Sequence, residues 1–202
     1  TNPGVMMALA RMDIPGLVFY GGFFCALGVA VWYTRRYAMN FWRTADILAP
    51  SVALGHFFGR LGCFAAGCCW GKEAHGRALG WAVRFPSESL AYQDYAARGA
   101  LPDLAERTPP LHPVQLYEAA GELVLFFLLS WYGRRKRWDG QVRVAYLVGY
   151  AILRYCVELY RGDAVRKFVT GALSTSQAIA LGAVVFAGAI YAWRRAHLSR
   201  AS

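Results

Sequence analysis

Runs of apolar residues long enough to cross a bilayer set the strongest limit on what this chain can fold into. Ile14 to Tyr33, Val114 to Tyr132, Val144 to Tyr160 and Leu173 to Trp193 each lie at or near the roughly 20 residues a spanning helix needs, and Ala45 to Ala65 makes a fifth, less uniform run. With 57% of its 202 residues hydrophobic, against about 45 to 50% in soluble domains, the chain reads as an integral membrane protein. Backbone in hydrocarbon must satisfy its own hydrogen bonds, which leaves helices or a closed barrel. Runs of this length predict the first: an all-α, polytopic membrane domain, single over residues 1–202, with five transmembrane helices.

Charge orients the spans. The formal net charge of +10 invites a nucleic-acid reading, but its distribution excludes one. Arg35, Arg36 and Arg43 follow the first span, Arg134, Arg135, Lys136, Arg137 and Arg143 lie between the third and fourth, and Arg194, Arg195 and Arg200 follow the fifth. All three clusters fall on one side. The opposite side holds the short loop Gly162 to Ala172 and the long loop Ala66 to Pro113, where five basic residues balance five acidic ones. Clustered Lys and Arg mark the cytoplasmic face. The expected topology is therefore N-terminus out, C-terminus cytoplasmic, with a periplasmic arm between the second and third spans. The chain starts at Thr1 with no positively charged leader, which fits a fragment of a longer protein.

Within this greasy frame the polar residues stand out. The stretch Gly55 to Gly71 sets Arg60 among apolar and small residues. A central arginine in a span costs about 2.5 to 3.5 kcal/mol on insertion scales, so it must face protein, water or an anion. Gly55 with Gly59, and Gly67 with Gly71, form small-xxx-small pairs suited to close helix packing. Thr44 is the expected N-cap of this span, Asp46 favours its positive end, and Pro50 weakens it. Cys63, Cys68 and Cys69 close the span. His75 is the only nearby further ligand and the usual zinc spacings are missing, so no metal is expected; a structural disulfide is favoured, and the cluster is expected to fix the turn that aims Arg60, with none of its thiols a catalytic nucleophile. Cys25 and Cys156 fall inside spans, where inert packing is the expected role.

Gln115, Glu118 and Glu122 share one face of the third span, and Tyr150, Arg154, Glu158 and Arg161 one face of the fourth. Arg154 and Glu158 can pair within their own helix. Taken together, Arg60, Arg154 and Arg161 against Glu118, Glu122 and Glu158 are an expensive membrane core unless they line a polar cavity. Tyr20-Gly21-Gly22 near the start of the first span is either an interfacial aromatic beside a packing notch or part of that cavity. The last span, opened by Ser174 to Gln177, is otherwise plain apolar scaffold.

The order of these motifs resembles the bacterial prolipoprotein diacylglyceryl transferase family. The matching elements are Tyr20-Gly21-Gly22, Gly59-Arg60-Leu61-Gly62-x-Phe64 with Gly67 and Gly71, and His112-Pro113-x-Gln115-Leu116-Tyr117-Glu118. They continue in Gly149-Tyr150-x-x-x-Arg154-x-x-x-Glu158-x-x-Arg161-x-Asp163 and in Ser176-Gln177. The resemblance covers about Asn2 to Arg195, and family members usually carry two further spans ahead of this region. It implies a multi-pass enzyme of the bacterial inner membrane that moves the diacylglyceryl group of phosphatidylglycerol to the lipobox cysteine thiol of a prolipoprotein signal peptide, releasing glycerol phosphate. Arginines suit a phosphate leaving group, because the guanidinium stays charged and forks onto its oxygens.

The expected catalytic residues are Arg60 and Arg154 on phosphate, with Tyr20 or His112 assisting the thiol. The expected substrate-binding set is Gly21, Gly22, Gly62, Gln115, Tyr117, Glu118, Tyr150, Glu158 and Arg161. No cofactor or metal is implied; the partners are phosphatidylglycerol, the prolipoprotein and membrane lipids. This chain departs from the family at Tyr20, where many relatives have histidine, at Cys63, where they have asparagine, and at Ala66 and Cys68, where asparagine and glutamate are common. The altered positions leave two alternatives open, a related transferase with another acceptor and a non-catalytic lipid-binding or transport protein.

Overall fold

The computed structural model describes residues 17–102, 104–162, 168–170, 173–174, 181–182, 185, 188 and 191, the side chains of 17–21, 23, 24 and 168–174 excepted. Among these, five helices run in order: α1 (Leu17–Arg36), α2 (Phe41–Ala65), α3 (Leu90–Ala97), α4 (Val114–Gly133) and α5 (Gln141–Glu158), with a 3-10 turn at Gly76–Gly80. Two short strands follow, β1 (Phe168–Thr170) antiparallel to β2 (Leu173–Ser174). The chain divides into two compact units, 1–44 and 45–202.

In the first unit, α1 ends on Arg35 and Arg36, cations that suit the negative end of a helix. Thr34, buried in an otherwise exposed stretch, donates its hydroxyl back to Ala30 O at 2.8 Å and Val31 O at 3.0 Å. A turn through Ala38, at φ 50°, leads to Asn40, whose side chain accepts from the amides of Trp42 at 3.0 Å and Arg43 at 3.3 Å. Asn40 is therefore the cap of α2. The expected cap, Thr44, instead sits inside the helix and donates to Asn40 O. Pro50 lies within α2 without ending it. Tyr20, Gly21 and Gly22 belong to α1.

In the second unit α2, α4 and α5 pack around Ala49, Ala53, Leu129, Val142 and Tyr146. Between membrane helices lipid offers as apolar a surface as leucine does, so close fit has to replace the hydrophobic drive. Two notches provide it on the α4–α5 hairpin. A Cβ at Gly121 would overlap Leu153, and one at Gly149 would meet Leu125 Cδ2 at 2.6 Å. Gly55 and Gly59 differ: a Cβ there meets nothing within 4 Å among the described residues, so their expected packing role is not seen. Among the described residues two helices, α2 and α4, are long and apolar enough to cross a membrane. Ile47, Val52 and Phe58 on α2 and Val124, Phe127 and Leu128 on α4 are exposed, as a lipid-facing surface requires.

Asp46 plays a larger part than its sequence position implied. Buried at 3% exposure, it accepts from Lys136 Nζ and Gly140 N at 2.8 Å and Arg143 N at 3.1 Å. It thus ties the α4–α5 loop to α2 and satisfies an orphan amide in the first turn of α5 from outside that helix.

The long loop after α2 has its own small core of Trp70, Phe85, Ala91, Tyr95 and Leu111, backed by Phe64, Val83 and Leu101. Bridges Glu73 to Leu111, Val83 to Leu111 and Pro86 to Arg107 lace it together, and Ser89 caps α3 by accepting from Tyr92 N. Gly71 pairs with Arg161 beside His112. A Cβ on Gly71 would lie 2.5 Å from His112 O, so glycine is what admits this close approach. The expected fifth span lies mostly outside the described residues. Leu181, Gly182, Val185, Gly188 and Tyr191 are helical, whereas its expected first residue, Leu173, is in β2.

Candidate functional site

Three helices each repeat polar residues at a spacing of four: His56 and Arg60 on α2, Glu118 and Glu122 on α4, Tyr146, Tyr150, Arg154 and Glu158 on α5. Side chains four apart stack on one helix face, about 6 Å apart along the axis. Because α4 runs opposite to α2 and α5, the repeats meet as two layers.

The layer nearer the long loop centres on the Glu118 carboxylate, which is 2% exposed. Arg60 Nη2 donates to its Oε1 at 2.9 Å and Arg154 Nη1 to its Oε2 at 3.4 Å. Arg154 Nη2 also lies 2.9 Å from Glu158 Oε2, the pair that their spacing predicted. One buried acid thus holds two guanidiniums from different helices side by side. Arg60 keeps 22% of its side chain exposed, and among the described residues it donates this one hydrogen bond. Its remaining N–H groups are available to an incoming anion.

The deeper layer was not anticipated as a unit. His56 Nδ1 lies 3.1 Å from Glu122 Oε1 and 2.9 Å from the Tyr146 hydroxyl, with the Tyr150 ring 5.4 Å away. Glu122 is fully buried, and its Oε2 has no hydrogen-bond partner among the described residues. The signal was present in the sequence: His56 precedes Arg60 by four, just as Glu122 follows Glu118 by four. A histidine in a glycine-rich apolar run is nonetheless invisible until the facing helix supplies its acid.

The other expected residues form a second group. His112 Nδ1 lies 3.1 Å from the Tyr117 hydroxyl, which accepts from Trp81 Nε1 at 2.8 Å. The His112 and Tyr160 rings stand 5.4 Å apart. These four aromatics, with Leu153, Cys156 and Val157, line a cavity of about 410 Å³. Trp81 and Tyr160 were missed as site residues, since a long-loop tryptophan looks like any interfacial aromatic. Gln115, expected to bind substrate, is buried and donates to Cys68 O at 2.6 Å. It fixes the turn after α2. Arg161 joins the bridge to Gly71. Gly62 and Gly22 are exposed on their helices, and the side chain of Tyr20 and residue Gly21 lie outside the described side chains.

Beyond α2, Cys63, Cys68 and Cys69 gather with their sulfurs within 4.8 Å of one another, all as free thiols. The expected structural disulfide is not formed among them. Burial, then the neighbouring Cys69 and Cys63 thiols, push the Cys68 thiol up to about 12.

A family model described as prolipoprotein diacylglyceryl transferase matches residues 2–193. Similar proteins include one from Glaesserella parasuis, 37% identical over 76% of this chain and 50% of its own length. One from Haemophilus influenzae is 32% identical over 92% of this chain and 62% of its own, and one from Solidesulfovibrio magneticus 36% identical over 89% and 62%. Each of these three relatives is named phosphatidylglycerol--prolipoprotein diacylglyceryl transferase. The chain spans between half and just under two thirds of their length.

Proposed function

The chain belongs to the prolipoprotein diacylglyceryl transferase family, and from that premise we propose that residues 1–202 act as one multi-pass domain of the bacterial inner membrane that transfers diacylglyceryl from phosphatidylglycerol to a prolipoprotein lipobox cysteine. Five spans cross with the basic clusters cytoplasmic, and the loop after α2 forms a periplasmic arm. The observation that carries the reaction is the pair Arg60 and Arg154, held 2.9 Å and 3.4 Å from one buried Glu118 carboxylate.

A phosphodiester entering between the two guanidiniums takes over N–H groups aimed at Glu118, whose charge has kept them together. The attacking thiolate forms the S–C bond as the glyceryl C–O bond breaks, and charge grows on the departing phosphate oxygen. Two preorganised guanidiniums in a water-poor setting stabilise that charge where it develops. No enzyme nucleophile is required. The thiol starts near pKa 8.5, so His112, its Nδ1 facing the Tyr117 hydroxyl, suffices to take its proton. The neighbouring cavity, lined by Leu153 and Val157 beside the aromatics, suits an apolar segment next to the reacting thiol. Glu158 and Arg161 orient the arginine pair and the arm above it.

Intact protein with phosphatidylglycerol and a lipobox peptide is expected to release glycerol phosphate and yield a heavier peptide in equal amounts. Arg60→Ala and Arg154→Ala are each expected to abolish both products. Glycerol phosphate without a modified peptide points to another acceptor. Lipid binding with neither product refutes the enzymatic reading.

A further inference from the structure

The three cysteines that close α2 have no part in displacement by an external thiol, yet their setting is built rather than casual. The chain leaves α2 at Ala65 and turns back on itself through two left-handed residues, Gly67 at φ 63° and Cys69 at φ 57°. The first is glycine, and a Cβ there would lie 2.5 Å from Ser89 Cβ. The second is not, and a non-glycine residue in this region carries strain that its surroundings must hold in place. The surroundings do so. Cys68 N donates to Cys63 O at 3.1 Å, Gln115 Nε2 donates to Cys68 O at 2.6 Å, and Ala91 N donates to Gly67 O at 2.9 Å.

The outcome is that residues at positions n, n+5 and n+6 bring all three sulfurs within 4.8 Å of one another. Each cysteine is half-buried, so the sulfurs converge where an ion can still enter. An ion about 2.3 Å from each of three sulfurs in a trigonal plane sets them about 4.0 Å apart. No fourth histidine, cysteine or carboxylate joins the group among the described residues, and the sequence spacing of tetrahedral zinc sites is absent. Arg60 lies within electrostatic reach of Cys63 and Cys69, which helps to neutralise a cluster of thiolates. We infer that Cys63, Cys68 and Cys69 form a three-thiolate site for a soft monovalent ion of the Cu(I) class, whose preference for sulfur and for low coordination number matches this donor set. Binding forms three metal–sulfur bonds and releases the three thiol protons to solvent, with no change of oxidation state.

The test is direct metal binding by the intact protein, reduced and kept free of oxygen in detergent. Cu(I) held by a colorimetric chelator is the probe. The expected result is one equivalent drawn from the chelator per chain, with an X-ray absorption spectrum of wild type showing three sulfur neighbours. Cys63→Ser, Cys68→Ser and Cys69→Ser should each lose this equivalent, while Cys25→Ser with Cys156→Ser keeps it. The wild-type spectrum decides the matter even where a serine variant fails to fold. Fewer than three sulfur neighbours, uptake that follows Cys25 or Cys156, or a disulfide joining two of the three thiols in protein taken directly from membranes would each overturn the assignment. Because the readout is metal uptake, it stands or falls independently of diacylglyceryl transfer.

Discussion

Glu118→Gln keeps the shape of the side chain that joins Arg60 to Arg154 and removes its charge. Removing one partner of a buried ion pair costs about 3 to 5 kcal/mol. Two features lower that figure here. Arg60 is 22% exposed, so water screens the guanidinium left behind, and Arg154 keeps Glu158 at 2.9 Å. About 2 to 3 kcal/mol is expected to remain, which for a domain of this size lowers the unfolding midpoint by roughly 4 to 12 °C. The two arginines then repel without a common acceptor, and transfer falls roughly 100-fold, the scale of losing one preorganised contact to developing charge. Thermal unfolding in detergent, followed by tryptophan fluorescence, reads the first effect, and glycerol phosphate release reads the second. Combining Glu118→Gln with Arg60→Gln isolates the pair: the arginine change should cost at least about 1 kcal/mol less in the Glu118→Gln background than in wild type. A midpoint unchanged within error, or strictly additive single and double variants, would refute the hub role of Glu118.

Asp46→Asn leaves Lys136 and the amides of Gly140 and Arg143 with a neutral and wrongly shaped partner; a loss of about 2 kcal/mol is expected, against under 1 kcal/mol for Lys136→Ala at the rim, both read by thermal unfolding. His56→Ala removes a hydrogen-bond partner of the fully buried Glu122 and should destabilise by about 1 to 3 kcal/mol, with Glu122→Gln in the same chain recovering much of the loss. Gly71→Ala forces a Cβ against His112 O at 2.5 Å and should cost about 1 to 3 kcal/mol. Gly59→Ala meets nothing within 4 Å and should be neutral or gain up to about 1 kcal/mol from helix propensity. Cys68, raised from 9.0 to about 12, is protonated at pH 8 and should alkylate roughly a thousandfold slower than an unperturbed thiol, because only the thiolate reacts; the rate should climb tenfold per pH unit up to about pH 12, and a fast reaction at pH 8 would contradict its burial among thiols.

Much of the architecture was legible because it rests on local chemistry. Apolar run length and the absence of caps inside a run fix where helices lie, and α4 begins at Val114 just as the run does. The paired spacing of Arg154 and Glu158 likewise followed from helix geometry alone. The cap of α2 was misplaced locally, at Thr44 instead of Asn40; the larger errors were tertiary. Asp46 sits near a helix start, where its charge is reason enough for it in the sequence, but its three donors come from the α4–α5 loop and the first turn of α5, some ninety residues away. Gln115 shares a face with Glu118, yet its amide is taken by the carbonyl of Cys68.

Hydropathy, residue type and motif order need no neighbours to be read, so they alone establish that the chain is helical and membrane-like, that Arg60 and Arg154 need buried or anionic partners, and which family it joins. Which partners those are follows from the packing between helices. Antiparallel α2 and α4 bring residue 60 level with 118 and residue 56 level with 122, and two left-handed residues fold Cys68 and Cys69 back onto Cys63. Pairing across helices depends on their direction, register and rotation, and these are set by packing between segments far apart in the chain, which no local pattern encodes.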